Sequence, residues 1–119
     1  MEYKTKNSFA LESRGTFSER QQIEASWKGW LPSLYVVYNG NKYNVIFWDI
    51  VRFVQDYEVE IELGPVFYEL NSVFVKSVTL ENIYPAVDKL IDDGYFEYIL
   101  PEKDDTILME LKPFEIFEV

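Results

Sequence analysis

The chain has 119 residues, of which 48% are hydrophobic and 18% aromatic, and its formal net charge is −10. This length predicts one domain over residues 1–119, and the apolar content favours a packed core over disorder. The sequence has no cysteine and no histidine, which excludes disulfides, thiolate or imidazole catalysis, and metal sites built on sulfur or imidazole. We therefore expect no cofactor, no metal ion and no enzymatic activity.

The acidic residues are concentrated after residue 30. Residues 1–30 contain five Lys or Arg and four Glu, whereas residues 31–119 contain six basic and seventeen acidic residues. Such a field repels phosphate backbones, so nucleic-acid binding is not expected. It attracts a basic partner and accelerates its association. The alternative is that the acids only keep an aromatic-rich protein soluble.

The start of the chain is polar and charged and lacks the apolar region of a signal peptide. No apolar run approaches the ~18 residues that a membrane-spanning helix needs. These features predict a cytoplasmic protein that does not contact a membrane.

The first predicted helix runs from about Ser18 to Trp27. Ser18 and Gln21 have the spacing of a capping box, and Gly29 supplies a stop. The alternative is an extended segment in which "SFALES" pairs with "GTFSE" around a turn at residues 14–15.

Two apolar runs, Leu34–Tyr38 and Tyr43–Trp48, predict a β-hairpin around Asn39-Gly40. Asn-Gly supplies the positive φ angles that a tight hairpin turn requires. Because both runs are strongly apolar, we expect central strands with one face covered by helices.

The stretch "FWDIVRFVQDYEVEIELGP", residues 47–65, fits two structures. As a helix it begins at Asp49 as N-cap and ends at Gly64-Pro65. As a strand, residues 58–63 alternate acid and hydrophobe. The helix is predicted for Asp49–Tyr57, residues 58–63 stay open, and in either structure the hydrophobes are expected to face inward. The helical stripe expected to pack on the core is Ile50, Phe53, Val54, Tyr57 and Ile61.

Thr79 caps a further predicted helix that ends at Gly94, after one or two strands with a turn near Asn71-Ser72. Pro85 either kinks this helix or begins it. The expected core positions are Leu80, Ile83, Val87, Leu90 and Ile91.

The last predicted elements are an exposed loop, Pro101–Asp105, and a final strand that Pro113 would confine to a sheet edge. Strands mixed with helices, without regular βαβ alternation, predict an α+β domain. We expect a mainly antiparallel sheet of four to six strands packed by two or three helices.

Neighbouring carboxylates are candidates for glycosidase-type catalysis or for binding magnesium or calcium. The pairs are Asp92-Asp93, Asp104-Asp105, and Asp56 with Glu60. None has the spacing of a metal loop, and 21 acidic residues produce neighbouring pairs by chance. A structural or solvated role is therefore favoured.

Tyrosine and tryptophan are more numerous than a small core can hide, and both are enriched at protein–protein interfaces. The alternative is that most of them pack in the core and on the sheet. The residues concerned are Trp27, Trp30, Trp48, Tyr35, Tyr38, Tyr43 and Tyr57.

Two segments, "YVVYNGNKYNVIFWDIVRFVQD" and "VTLENIYPAVDKLIDDGYF", resemble the small acidic immunity proteins of bacterial polymorphic toxin systems over about residues 34–96. The matching positions are Trp48, Asp49, Val51, Arg52, Gln55 and Asp56, then Val78, Thr79, Glu81 and Asn82, then Gly94, Tyr95 and Phe96. Ile50 and Pro85 depart from the family pattern. The resemblance implies a protein that binds and neutralises a cognate toxin, and it favours a helix that continues past Tyr57.

These observations lead to the hypothesis of a non-enzymatic immunity or inhibitor protein that binds a basic partner, such as a toxin nuclease. The acids would occupy a positive cleft that otherwise holds phosphate. The alternatives are a small-molecule-binding or regulatory module, an acidic nucleic-acid mimic, and a carboxylate-dependent enzyme; the oligomeric state stays open. The predicted partner-binding residues are Asp56, Glu58, Glu60, Glu62, Asp92 and Asp93 as an acidic patch, with Trp27, Trp30 and Tyr57 as anchors.

Overall fold

The computed structural model describes residues 3–14, 17–102 and 111–113. These residues form strands and helices in mixed order. In chain order they are β1 (Ala10–Arg14), α1 (Glu19–Lys28), β2 (Trp30–Tyr38), β3 (Asn41–Trp48), α2 (Ile50–Leu63), β4 (Ser72–Phe74), α3 (Leu80–Asp92), a 3-10 turn (Tyr95–Glu97) and β5 (Leu111–Pro113).

The strands of the described residues form one sheet in the order β4-β3-β2-β1-β5. β1 pairs antiparallel with β2 and β5, and β2 pairs antiparallel with β3. β4 pairs in parallel with β3, so α2 is the crossover between two parallel strands. The α+β class is confirmed, while the parallel pairing of β4 makes the sheet mixed. β5, which contains Pro113, lies at an edge as predicted; Asp104-Asp105 and most of the final segment lie outside the described residues.

The central hairpin forms where it was predicted. Asn39 and Gly40 are the two turn residues, with φ of 50° and 76°, the left-handed pair that lets two strands join without splaying. β2 begins at Trp30, earlier than expected, with an irregular register between Leu31 and Leu34.

The predicted helix starts are confirmed. Ser18 accepts from the amide of Gln21 at 3.2 Å, and the Gln21 side chain accepts from the amide of Ser18 at 2.7 Å. Asp49 and Thr79 cap α2 and α3. The alternative pairing of "SFALES" with "GTFSE" is wrong, because β1 pairs with β2 and β5 and the helix forms from Glu19.

α3 runs without interruption from Leu80 to Asp92 and contains Pro85, which is exposed. A proline has no amide hydrogen, so the helix lacks the bond that residue 85 would donate to residue 81. Of the two alternatives left open for Pro85, the one in which it begins the helix is therefore wrong. Packing of the helix against the sheet offsets the missing bond.

One face of the sheet, under α1 and α3, holds the main core. Its members come from every large element except α2. They are Leu11, Phe17, Ala25, Leu31, Leu34, Val36, Tyr43, Val45, Phe47, Val78, Leu80, Ile83, Val87 and Phe96. Because successive strand residues point to opposite faces, Trp48 projects from the other face, directly after Phe47. That second face is the one on which α2 lies.

Candidate functional site

α2 begins at a tight joint with the end of α1. The Asp49 carboxylate accepts from the amide of Arg52 at 2.8 Å, and the amide of Asp49 donates to the carbonyl of Gly29 at 2.9 Å. Gly29 has φ of +68°, and a Cβ there would lie 2.6 Å from Cγ of Asp49. Only glycine therefore allows the two helices to meet this closely.

Arg52 ties the first turns of α2 to neighbouring elements. Its Nε donates to Asp56 at 2.8 Å and its Nη1 donates to the carbonyl of Lys28 at 3.2 Å. The guanidinium also lies over the ring of Trp30, 5.1 Å from the centroid, a favourable cation–π arrangement. The orientation of α2 is thus fixed near its N-terminus.

Phe53 is the apolar attachment of α2 to the sheet. Its ring lies 5.3 Å from that of Trp48, 5.4 Å from Phe67 and 4.8 Å from Phe74. Trp48 is almost fully buried, while Phe53 and Phe67 are half-buried and Phe74 is exposed. This small aromatic cluster is separate from the main core and holds α2 by one side chain.

Of the five α2 residues predicted to pack on the core, only Phe53 packs against the sheet, on its second face; for the other four the prediction is wrong. No residue of α2 is buried. We define the α2 stripe as Ile50, Val54, Tyr57 and Ile61, which are between 37% and 60% exposed. At about 100° per residue, the centre of the stripe lies roughly 120° around the helix from the midpoint between Arg52 and Phe53, the two residues of α2 that contact the sheet.

The ambiguous residues 58–63 are helical. In a helix their alternation distributes the acids over two sides, Glu58 and Glu62 on one and Asp56 and Glu60 on the other. The hydrophobes do not turn inward as predicted, since Val59 and Leu63 are exposed together with Tyr57 and Ile61. The last turns of α2 therefore present both charge and apolar surface to solvent.

The charges of α2 are unfavourable within the helix itself. Glu58, Glu60 and Glu62 occupy its C-terminal half, and its last turn has no basic residue, although the helix dipole favours cations there. Acids four residues apart also repel each other, by about 0.2–0.5 kcal/mol per pair in isolated helices. Asp56 is the exception because Arg52 neutralises it. A cationic surface placed against the other three acids would relieve this repulsion.

Asp92 and Asp93 lie at the end of α3, which packs on the opposite face of the sheet from α2. Both are already paired, Asp92 with Lys6 at 2.7 Å and Asp93 with Lys89 at 2.8 Å. The hydrogen bond from the Lys6 side chain, aided by Asn7, lowers the pKa of Asp92 from its usual range. The structure therefore divides the predicted acidic patch between two sides of the sheet.

The three predicted aromatic anchors have different surroundings. Trp27 is 83% exposed at the rim of a cleft of about 390 Å³ between α1 and the start of α3. Trp30 is half-buried against Trp48 and Arg52, and its Nε1 has no acceptor within hydrogen-bond distance among the described residues. Tyr57 lies in the α2 stripe and is about half-exposed.

Exposed apolar surface is concentrated around α2. Eleven of the fifteen large hydrophobic side chains that are strongly exposed in the described ranges belong to residues 50–74. Apart from α2 itself, these include Val66, Tyr68, Leu70 and Phe74. Residues 50–74 also contain five acids and a single basic residue, Arg52.

Other kinds of site have less support in the part of the chain that is described. No three His, Cys, Asp or Glu residues there are grouped so that they could hold a metal ion. No described helix is long and apolar enough to cross a membrane. A cleft of about 730 Å³, lined by residues 3–9 and Tyr84, is open to solvent, so it does not resemble the enclosed apolar pocket of a small-molecule site.

Comparison of the chain with family models, with curated proteins and with solved structures found no match. The candidate site is therefore defined by the geometry of this chain alone. Ile50, Val54 and Ile61 were not among the predicted partner-binding residues, although they are exposed on α2. No sequence signal distinguishes them, because an apolar stripe that faces solvent has the same spacing as one that faces a core.

Proposed function

We propose that this protein is a non-enzymatic immunity or inhibitor protein that acts in the cytoplasm by binding and neutralising a basic partner, such as a bacterial toxin domain. One observation supports this most directly: the α2 stripe is exposed and is bordered by unpaired acids. Exposed apolar patches rimmed by polar residues are typical of protein interaction sites. Acids around such a patch accelerate the encounter with a basic protein and exclude acidic ones.

Neutralisation would be steric and electrostatic. A nuclease-type toxin needs a positive cleft to hold phosphate, and Glu58, Glu60 and Glu62 would compete for that cleft while the α2 stripe supplies apolar contact. Tyr57 lies within the stripe and has the large ring and polar tip that are frequent at interface centres. A second contact with the partner, or the rim of the interface, would include Trp27, Asp92 and Asp93.

The nucleic-acid mimic is the less favoured alternative. A mimic needs long rows of carboxylates at the spacing of backbone phosphates. α2 offers two rows of only two acids each, about 6 Å apart along the helix, and Asp56 of one row is paired with Arg52. A short acidic border around an apolar stripe fits a protein partner better.

Growth rescue tests this function. The protein is co-expressed with the product of each gene that flanks its own, and growth is compared with and without it. We expect one flanking product to be toxic and the wild-type protein to restore growth. If no flanking product is toxic, or if toxicity persists while the protein is expressed and folded, the proposed function is wrong.

A further inference from the structure

Resting on the function proposed above, we propose that α2 binds an amphipathic helix of the partner, whose apolar seam is flanked by lysine or arginine. This names the structural element and the charge of the partner surface. It follows from the spacing of the α2 stripe, from its accessibility and from the acids on both of its sides.

The α2 stripe has the spacing of a coiled-coil seam. Ile50, Val54, Tyr57 and Ile61 follow one another at intervals of four, three and four residues, the alternation of d and a positions in the heptads of interlocking helices. The stripe extends for about 16 Å along the helix axis. A facing helix of three to four turns would insert its own apolar side chains between those of α2.

The contacts within the protein leave this seam accessible. α2 is attached through Asp49, Arg52 and Phe53, all in its first turns. Tyr57–Leu63 make no side-chain hydrogen bond, ion pair or ring contact with any other part of the described chain. A second helix could therefore lie along the whole stripe without displacing an element of the fold.

Charge selects a basic helix over a second copy of this chain. Glu58 and Glu60 lie roughly 70–90° to either side of the centre of the stripe, the two flanking positions that choose a partner in paired helices. In a parallel pair of α2 helices the two acidic C-terminal halves would lie side by side, which is unfavourable. In an antiparallel pair Glu58 and Glu60 would lie beside apolar residues of the second copy and would gain no cationic partner. Lysine or arginine at the same positions of a partner helix would be attracted, and would also counter the acids at the negative end of the α2 dipole.

Designed peptides test this inference directly. The first probe is a helical peptide of about three heptads with Leu and Ile in the seam and Lys at both flanking positions. The second has Glu at those positions, and the third keeps the Lys residues but has a scrambled seam. Fluorescence anisotropy is measured in about 0.01 M and about 0.15 M salt, between which the Debye length falls from about 30 Å to about 8 Å. We expect the first peptide to bind at least about tenfold more tightly than the other two, with weaker binding at the higher salt.

Matched variants locate the contact. Val54→Ser and Ile61→Ser remove apolar groups from the seam and should each weaken binding of the first peptide about tenfold. Val59→Ser is the control, because Val59 is also exposed on α2, at 58% against 42% for Val54, but lies on the opposite side from the stripe. The affinity of this variant for the first peptide should change less than about twofold. The double variant Glu58→Lys with Glu60→Lys should reverse the preference and favour the Glu-flanked peptide.

Three results would overturn the inference: equal binding of the seam and scrambled peptides, an equal loss in Val59→Ser, or no reversal in the charge-swapped variant. Light scattering supplies a fourth. A dimer at low salt that Val54→Ser dissociates would make a second copy the occupant.

Growth rescue separates this inference from the proposed function. If Val54→Ser and Ile61→Ser rescue growth as strongly as the wild type does, the function is retained and the helix-binding mode is rejected.

Discussion

α2 and α3 are similar helices with opposite surroundings. They have 14 and 13 residues, each is capped by a side chain at its start, and each has an apolar stripe. α3 buries Leu80, Ile83 and Val87 against the sheet, whereas α2 buries no residue. Amphipathicity therefore indicates how much apolar surface a helix can bury and leaves open what that surface contacts.

The difference arises from the way each helix meets the sheet. The stripe of α3 faces the main core, so its apolar side and its contact side coincide. α2 meets the other face through Arg52 and Phe53, because the joint between Gly29 and Asp49 sets its direction. Its contact side and its apolar side are consequently different sides of the helix.

The largest expected effect is a loss of stability from truncation on α3. Ile83→Ala should lower the free energy of unfolding by about 2–5 kcal/mol, because it leaves a cavity at a side chain that is 1% exposed. The matched change on α2, Ile61→Ala, should cost less than about 1 kcal/mol, since its site is already open to solvent. Urea unfolding followed by circular dichroism measures both. Equal losses would contradict the difference between the two helices.

An intermediate effect is expected at the joint that directs α2. Gly29→Ala places a Cβ within 2.7 Å of the Asp49 carboxylate in a left-handed residue, and should cost about 1–3 kcal/mol. Gly64→Ala is the control at the other end of α2, because a Cβ at residue 64 would have no atom within 4 Å and the φ there is −158°; it should change stability by less than about 0.5 kcal/mol. Thermal unfolding measures the melting temperatures of the two variants. Equal values would contradict the prediction, because they would show that a side chain at residue 29 does not strain the joint between α1 and α2.

The smallest expected effect is a pH dependence specific to α3. Asp88 accepts from the amides of Lys6 and Asn7 at 2.8 and 2.9 Å and from Nδ2 of Asn7 at 2.8 Å. The Lys6 amide hydrogen bond, followed by those of Asn7, lowers the pKa of Asp88 below 3.8 despite the opposing effect of burial. A lowered folded-state pKa stabilises the protein above the unfolded value, and this contribution is lost as the pH falls through the folded value.

Melting temperature recorded from neutral pH down to about pH 2.5 tests this expectation. In the wild type, part of the decrease in melting temperature should occur below about pH 4, the range in which an aspartate of ordinary pKa is protonated. Asp88→Asn should lower the melting temperature at neutral pH and flatten that decline, because its amide group would face the donors of Lys6 and Asn7. Asn7→Ala, which keeps the carboxylate, should retain more of the decline. An unchanged profile in Asp88→Asn would reject the assignment.

Sequence patterns predicted the local elements well where the cause is local. The Asn39-Gly40 turn, the Ser18–Gln21 capping box and the Asp49 cap each depend on residues within four positions of one another. Patterns left the structure open where two local preferences compete. Residues 58–63 alternate as a strand would, yet form helix, and Pro85 opposes a helix that nevertheless continues through it.

The candidate site was predicted in part. Glu58, Glu60, Glu62 and Tyr57 were expected at a partner surface and do lie on exposed α2, while their role in binding stays a prediction. The other residues of the α2 stripe, Ile50, Val54 and Ile61, were assigned only to the core. That error has a physical cause, because the 3.6-residue period of hydrophobes is the same for a helix that packs on its own sheet and for one that packs on another chain.

The sequence by itself determined the class of the domain, its helix starts and stops, its central hairpin and its acidic charge, because capping, turn angles and composition act over short distances along the chain. Only the tertiary structure decided which apolar stripe is buried and which is exposed. Burial depends on contacts between residues far apart in sequence, above all those that Gly29, Trp30 and Phe74 make with the first turns of α2. Those contacts hold α2 in an orientation in which its apolar stripe and its acids both face solvent.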